Sequence, residues 1–316
     1  MARSSPLSDP GGVRSTSTHG SERQIAVPGS VANLGPGFDA LSVAVQLYLT
    51  LDVVDVRPGA PGQLQFTFVG GPPLVGENRI ERAFRLAAER FGGTTPGLVV
   101  EVRTEIPMRA GLGSSAAATV AGLRLHETFT APRQTSELLG LATEIEGHPD
   151  NASAALLGGL ALSCQFGDGR VEARAWRWPD ALRLVVGTPE AQLETAAARK
   201  ILPQTVQLRD AVFNLQRALL LVRALETGQF GDLREALGDR WHQPTRQAFV
   251  PGLPEALALD HPSVLGVCLS GSGPTIAILA ADGHPEAAAL LADIYKRLGV
   301  AYTIRTLSAH QPEGHQ

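Results

Sequence analysis

The chain has 316 residues, and its 27 basic against 31 acidic side chains leave a formal net charge of −4. That length allows one large or two moderate domains with ample core, and 44% hydrophobic with 18% charged residues is the composition of a soluble globular protein. The charge balance excludes the basic footprint of a nucleic-acid binder, and no apolar run is long enough to span a membrane.

Residues 1–23 are rich in Ser, Gly and Pro, lack an apolar signal core and read as a disordered tail. A short strand, "QIAVPGS", opens the ordered chain near Gln24. A long β-rich run follows over 40–56, and "LQFTF" is another strand beyond a Pro/Gly turn. "ENRIERAFRLAAERFG" sets Ile80, Phe84, Leu86 and Ala87 near helical spacing and stops at Gly92 and Gly93. "GLVVEVRTEI" reads as a strand, and a Gly–Ser turn then leads into a helix running to about Phe129. "TSELLGLATEIEG" is a further helix with a Ser/Thr start signal. "LLGGLALSCQF" and "ALRLVVGTP" read as strands, and 204–239 as two helices parted near Gly228. "SVLGVCLSG" and "GPTIAILA" form a strand pair around a tight turn; a helix at 285–298 and a strand, "AYTIRTL", close the chain. Strands and helices alternate without regular βαβ units, which predicts an α+β fold in two domains, 24–168 and 169–308. Cys164 and Cys268 lie in strand-like apolar runs and are expected to be core thiols, in a cytoplasmic protein, rather than a disulfide.

The stretch "EIPMRAGLGSSAAATVAGL", residues 105–123, packs Gly111, Gly113, Ser114 and Ser115 into five positions. Glycines there permit positive φ and let the backbone approach a ligand closely. The serines open a helix whose first amides have no partners inside it and whose dipole is positive at that end. That is an anion site, with phosphate as the matching guest and the hydroxyls able to reach a Mg²⁺. A capped helix after a glycine turn is the structural alternative. The pattern G-x-x-x-x-G-K-[ST] is absent, and "GLGSSA" lacks the full G-x-G-x-x-G spacing, so a phosphate site here needs another scaffold. "VPGSVANLGPGFDALS" puts Asn33 and Asp39 in a second glycine-rich loop, and "LSGSGPTIAIL" is a third, between two strands.

In this order, the three stretches resemble the motifs of the GHMP kinase superfamily, over residues 24 to about 306, with "IPMRAGLGSSAAA" matching its phosphate-binding motif. "VPGSVANLGPGFDALS", "EGHPDNASAALLGG", "ETAAARKILP" and "HQPTRQAFVPGL" resemble its homoserine kinase branch. The resemblance implies a two-domain α+β fold with the nucleotide site between the domains, often as a homodimer. It implies ATP-dependent phosphorylation of the side-chain hydroxyl of L-homoserine, a step toward threonine, with ATP and Mg²⁺ as cofactors. Alternatives are a mevalonate- or sugar-type kinase of the same superfamily, or a catalytically silent nucleotide-binding regulator on the same fold.

The resemblance also implies roles for residues. The ATP phosphates would lie on Pro107, Met108, Arg109, Ala110, Gly111, Leu112, Gly113, Ser114, Ser115, Ala116 and Ala117, with Asn78 near the adenine. Ser115 would ligate Mg²⁺ together with an acidic residue of the next helix, either Glu144 or Glu146, with Glu146 preferred. Arg199 and Arg246 would take the substrate carboxylate, for which a planar guanidinium is better suited than an ammonium. Asn33, Asp39, His148 and Asp150 would surround the amino acid. The chain departs from the pattern at Glu105, where relatives often carry a basic residue, at Ser42, and in "NASAA". Its two lysines, Lys200 and Lys296, stand outside the three superfamily motifs, so no Asp–Lys pair is present there to deprotonate the hydroxyl. Phosphoryl transfer is then expected to run on approximation and electrostatics, with His148 or Asp150 as the fallback proton acceptor. Gly113→Val is expected to abolish ATP binding and leave the fold.

Overall fold

A computed structural model describes residues 24–70, 76–190 and 199–312; the expected tail at 1–23 lies outside them. Strands β1 (Gln24–Ala32), β2 (Leu41–Arg57), β3 (Leu64–Phe68), β4 (Gly97–Thr104), β5 (Leu160–Gln165) and β6 (Val171–Trp176) form one sheet, in the order β3-β4-β2-β5-β6 with β1 also on β2. Strands β7 (Arg183–Pro189), β8 (Gly266–Leu269), β9 (Ile276–Ala280) and β10 (Tyr302–Leu307) form a second, antiparallel sheet in the order β10-β7-β9-β8. The sheets part between Trp176 and Arg183, one strand later than the expected 168/169 division, because β6 closes a hairpin with β5. One hydrophobic core nevertheless runs through both halves, joining Val27 and Leu51 of the first sheet to Leu184 and Leu279 of the second.

Helices α1 (Arg79–Phe91), α2 (Ser114–Thr128), α3 (Thr135–Glu146) and α4 (Asp150–Leu157) serve the first sheet. The small side chains of α2 let α1 come close: a Cβ on Gly122 would stand 2.2 Å from the Ile80 carbonyl oxygen. This is why the alanine-rich stretch is buried nearly all round. Helix α4 was not foreseen. Its eight residues carry no apolar periodicity, and it forms because tertiary packing buries it against β1, α2 and β2. The second half carries α5 (Leu208–Thr227), short helical turns α6 (Leu233–Ala236), α7 (Gln243–Arg246) and α8 (Leu253–Leu257), and α9 (His284–Leu298) against β7. After β10 the chain crosses back to the first sheet: His310 N donates to Ala44 O and Gly159 N to His310 O.

Of the two cysteines, Cys268 is buried as expected, and burial pushes its thiol up to about 12. Cys164 is exposed, which corrects the core assignment: β5 alternates, and Cys164 takes the outward face with Leu162. No helix among the described residues is long and apolar enough to cross a membrane.

Candidate active site

Three glycine-rich segments meet where the two halves face each other. Ser30 N donates to Leu112 O, Gly271 N to Ala32 O, and Ser270 Oγ to Gly111 O at 2.6 Å. The "LSGSG" turn therefore braces both other loops. Tight approach demands glycine here, since a Cβ on Gly111 would lie 2.4 Å from the Ser270 carbonyl oxygen, at a φ of 79°. Between them opens a cleft of about 330 Å³.

One end of the cleft is suited to anions. Gly113, at φ 73°, is the N-cap of α2 and directs the first turn of that helix, Ser114 and Ser115, into the cleft. Arg79 and Arg109 line the same end. Ala110, Leu112 and Ala117 turn their side chains into the core, so only their backbone can meet a ligand. Met108 is half exposed, and neither it nor Pro107 lines the cleft. Glu105 is also turned away, its Oε2 accepting from Tyr48 N at 3.0 Å. Asn78 Oδ1 caps α1 by accepting from Ile80 N and Glu81 N; the residue stands outside this cleft and lines a separate hollow with Glu77, Arg82 and Glu144.

Glu146 faces the glycine loop and Glu144 does not. Ser115 Oγ and Thr119 Oγ1 donate to Glu146 Oε1 at 3.0 and 2.6 Å, and the Glu146 side chain is 7% exposed. Glu144 lies on the outer face of α3, exposed and paired with Arg90. A buried carboxylate beside a hydroxyl is an oxygen donor set of the kind a hard divalent cation takes.

The other end carries the groups that suit an amino acid. His148 Nδ1 lies 2.5 Å from Asp150 Oδ1 at the start of α4. Burial lowers the His148 pKa, but the hydrogen bond and charge of Asp150 outweigh it, and the net shift is upward. The oxygens of Asp39 and Asp150 and a ring nitrogen of His148 fall within 4.8 Å of one another. Arg199 holds Asp39 by both prongs of its guanidinium, at 3.0 and 2.5 Å. Asn33 lines the cleft, with its amide donating to Gly271 O and its carbonyl accepting from Asp39 N. Asn33 and Asp39 both hold left-handed backbone, at φ 71° and 57°, which short polar side chains tolerate.

Arg246 is 2% exposed. Its Nη1 lies 3.1 Å from Gly271 O and 3.2 Å from His242 Nδ1. Burial first, and the charge of Arg199 second, lower its pKa to about 10. His242 is fully buried, and burial also lowers its pKa. A neutral ring fits both contacts: Nε2–H donates to Gly35 O at 2.8 Å while Nδ1 accepts from Arg246.

Two family profiles match the chain, GHMP kinases N terminal domain over residues 78–159 and GHMP kinases C terminal over 221–299. Homoserine kinase from Solibacter usitatus is 38% identical over 294 residues, covering 92% of this chain and 94% of the relative. The chain belongs to the homoserine kinase family of GHMP kinases. Homoserine kinase from Moorella thermoacetica is 36% identical over 288 residues, 90% of this chain and 96% of that one. Among solved structures, homoserine kinase from Cytophaga hutchinsonii superposes with a TM-score of 0.77 at 24% identity, covering 92% of this chain and 95% of that one. Lactococcus lactis galactokinase complexed with galactose gives 0.70 at 15% identity, with 92% and 94% covered. These two likenesses speak to the two-domain fold, whose cleft draws on residues from Asn33 to Asn151 on one side and Arg199 to Ser272 on the other.

Sequence reasoning missed Phe38, Arg79 and Asn151, which also line the cleft. Phe38 sits next to a residue that was singled out, and its ring lies 5.5 and 5.7 Å from the guanidinium carbons of Arg199 and Arg246. Asn151 accepts from Ser30 Oγ at 2.7 Å. Nothing local in "GENRIERA" marks Arg79 as facing Glu146, from which its Nη1 stands 3.7 Å.

Proposed function

We propose that the chain transfers the γ-phosphoryl group of ATP to the side-chain hydroxyl of L-homoserine, releasing ADP and O-phospho-L-homoserine. The observation that carries this is the meeting, in one cleft, of a glycine loop at a helix N-terminus with a cluster of paired carboxylates and arginines suited to an α-amino acid. In this reading the phosphates lie on the backbone of residues 109–116, and Arg79 and Arg109 balance their charge. Ser115 and Glu146 would hold Mg²⁺, which when bound neutralises charge on the phosphates. Arg246 and Arg199 take the carboxylate; Asp39, with Asp150 and His148 beside it, takes the ammonium.

His148 and Asp150 then act on the substrate's position rather than on its proton. The hydrogen bond and charge of Asp150 raise the His148 pKa, and its Nδ1 is committed to Asp150, which fixes the ring in the cleft. Holding hydroxyl and phosphate in line supplies about 7–11 kcal/mol of the barrier reduction, and the loose transition state asks little of a base. Two further parts belong to the reading: a cytoplasmic setting, and a homodimer. The dimer is supported by Leu208, Val212, Leu215 and Leu219, an exposed apolar stripe at helical spacing along α5, and light scattering of the purified protein checks it.

An ADP-release assay with homoserine, serine, threonine and mevalonate tests the function. Turnover selective for homoserine is expected. Preference for mevalonate would replace the amino-acid reading with the mevalonate one, and absence of turnover with every substrate would favour a silent nucleotide-binding regulator.

A further inference from the structure

The substrate end of the cleft contains an ion pair of its own. The Arg199 fork meets both oxygens of Asp39, at 3.0 and 2.5 Å, between side chains 35% and 32% exposed. The partners are 160 positions apart and both line the cleft, so tertiary structure brings them together there. Each is anchored from behind. Asp39 is fixed by its N–H to Asn33 Oδ1, and Arg199 lies over the Phe38 ring. The charges match, in reverse, the two charges of an α-amino acid.

We propose that the Asp39–Arg199 pair is an internal stand-in for the substrate's zwitterion, so that the cleft admits only ligands carrying both an α-ammonium and an α-carboxylate. The proposal rests on the amino-acid reading given above. A zwitterion replaces one ion pair by two, its carboxylate on Arg199 and its ammonium on Asp39. A ligand with a carboxylate alone must draw Arg199 away and leave Asp39 without its partner, close to the carboxylate of Asp150. A ligand with an ammonium alone strands Arg199 beside Arg246, whose own pKa already registers the Arg199 charge. Removing one partner of a partly buried charge pair is costly because the other is left behind. Selectivity here therefore comes as much from what a half-charged ligand breaks as from what the correct one makes.

The test uses homoserine and two analogues, each lacking one charge: 4-hydroxybutyrate has no ammonium and 3-aminopropan-1-ol no carboxylate. ADP release is measured for the wild type, Asp39→Asn and Arg199→Gln. Asparagine tolerates the left-handed backbone of position 39, and a melting curve verifies each variant's fold. Asp39→Asn should lower kcat/KM for homoserine yet raise it for 4-hydroxybutyrate by about tenfold or more, the scale of one charge-assisted contact. Arg199→Gln should do the same for 3-aminopropan-1-ol. If Asp39→Asn folds and uses 4-hydroxybutyrate no better than the wild type does, Asp39 is an ammonium ligand or a loop brace only, and the proposal is wrong. Should that variant not fold, the Arg199→Gln arm decides by the same criterion. A wild type that ignores homoserine overturns the amino-acid reading instead, so the two failures are told apart.

Discussion

At position 113 the backbone sits at φ 73°, and an added Cβ would stand 2.2 Å from Ser30 Oγ, the hydroxyl that donates to buried Asn151. The expectation that Gly113→Val spares the fold therefore gives way to a combined effect. Even Gly113→Ala should cost about 1–3 kcal/mol of stability, from positive φ and the displaced hydrogen bond, and should also block close phosphate approach. Urea unfolding with an ATP titration measures both, and a stable alanine variant that binds ATP normally would remove the glycine loop from the site. Arg246 poses a similar question one layer back. His242 accepts from its guanidinium through Nδ1 and donates to Gly35 O through Nε2. An asparagine keeps an acceptor in the Nδ1 position, whereas a glutamine keeps only a donor in the Nε2 position. His242→Asn should therefore retain a homoserine KM nearer the wild-type value than His242→Gln, which should raise it about tenfold with the ATP KM unchanged. Equal KM values in the two variants would reduce His242 to packing.

At the scale of elements, the metal assignment turns on which side of α3 a carboxylate occupies. Glu144 and Glu146 are two positions apart on a helix, so one faces α2 and the other solvent. Ser115→Ala and Glu146→Gln should each raise the Mg²⁺ concentration needed for half-maximal rate and lower kcat. Glu144→Gln should change neither, since an exposed pair such as Arg90–Glu144 contributes at most about 1 kcal/mol to stability. A Mg²⁺ dependence moved by Glu144→Gln and untouched by Glu146→Gln would reverse the assignment. Much of this element-level arrangement was legible in the sequence. "LQFTF" forms β3 as read, and the glycines after α1 and α3 end those helices. Helix α4 was not legible, because DNASAALL has neither length nor a periodic apolar face, yet it presents Asp150 to the cleft.

Over the whole molecule, buried histidines set the direction in which stability responds to acid. Burial lowers the pKa of His126 and His242, so the folded state resists a proton that the unfolded chain accepts at about 6.5. Their contribution is complete above that pH and declines as pH falls through the lowered values. His148 runs the other way: its pKa is raised, so its contribution is complete below about 6.5 and is lost as pH rises through the raised value. Between pH 7 and 5 the His126 and His242 contributions make the melting temperature fall with acid, and that of His148 opposes them. His126→Leu, remote from the cleft, should make that fall shallower; an unchanged slope would show that His126 is protonated as readily in the fold as outside it.

The sequence by itself determined the α+β class, most strands and long helices, and the glycine-rich segments, since these depend on period, turn chemistry and the special backbone freedom of glycine. Only the tertiary structure decided which polar groups meet. Asp39 and Arg199 pair across 160 positions, Ser30 and Asn151 across 121, and His242 and Gly35 across 207. It also decided that the two sheets share one core and that β6 stays with the first of them. A periodic pattern is written in neighbouring residues, but a contact between distant loops exists only once burial of the whole core has fixed where each loop stands.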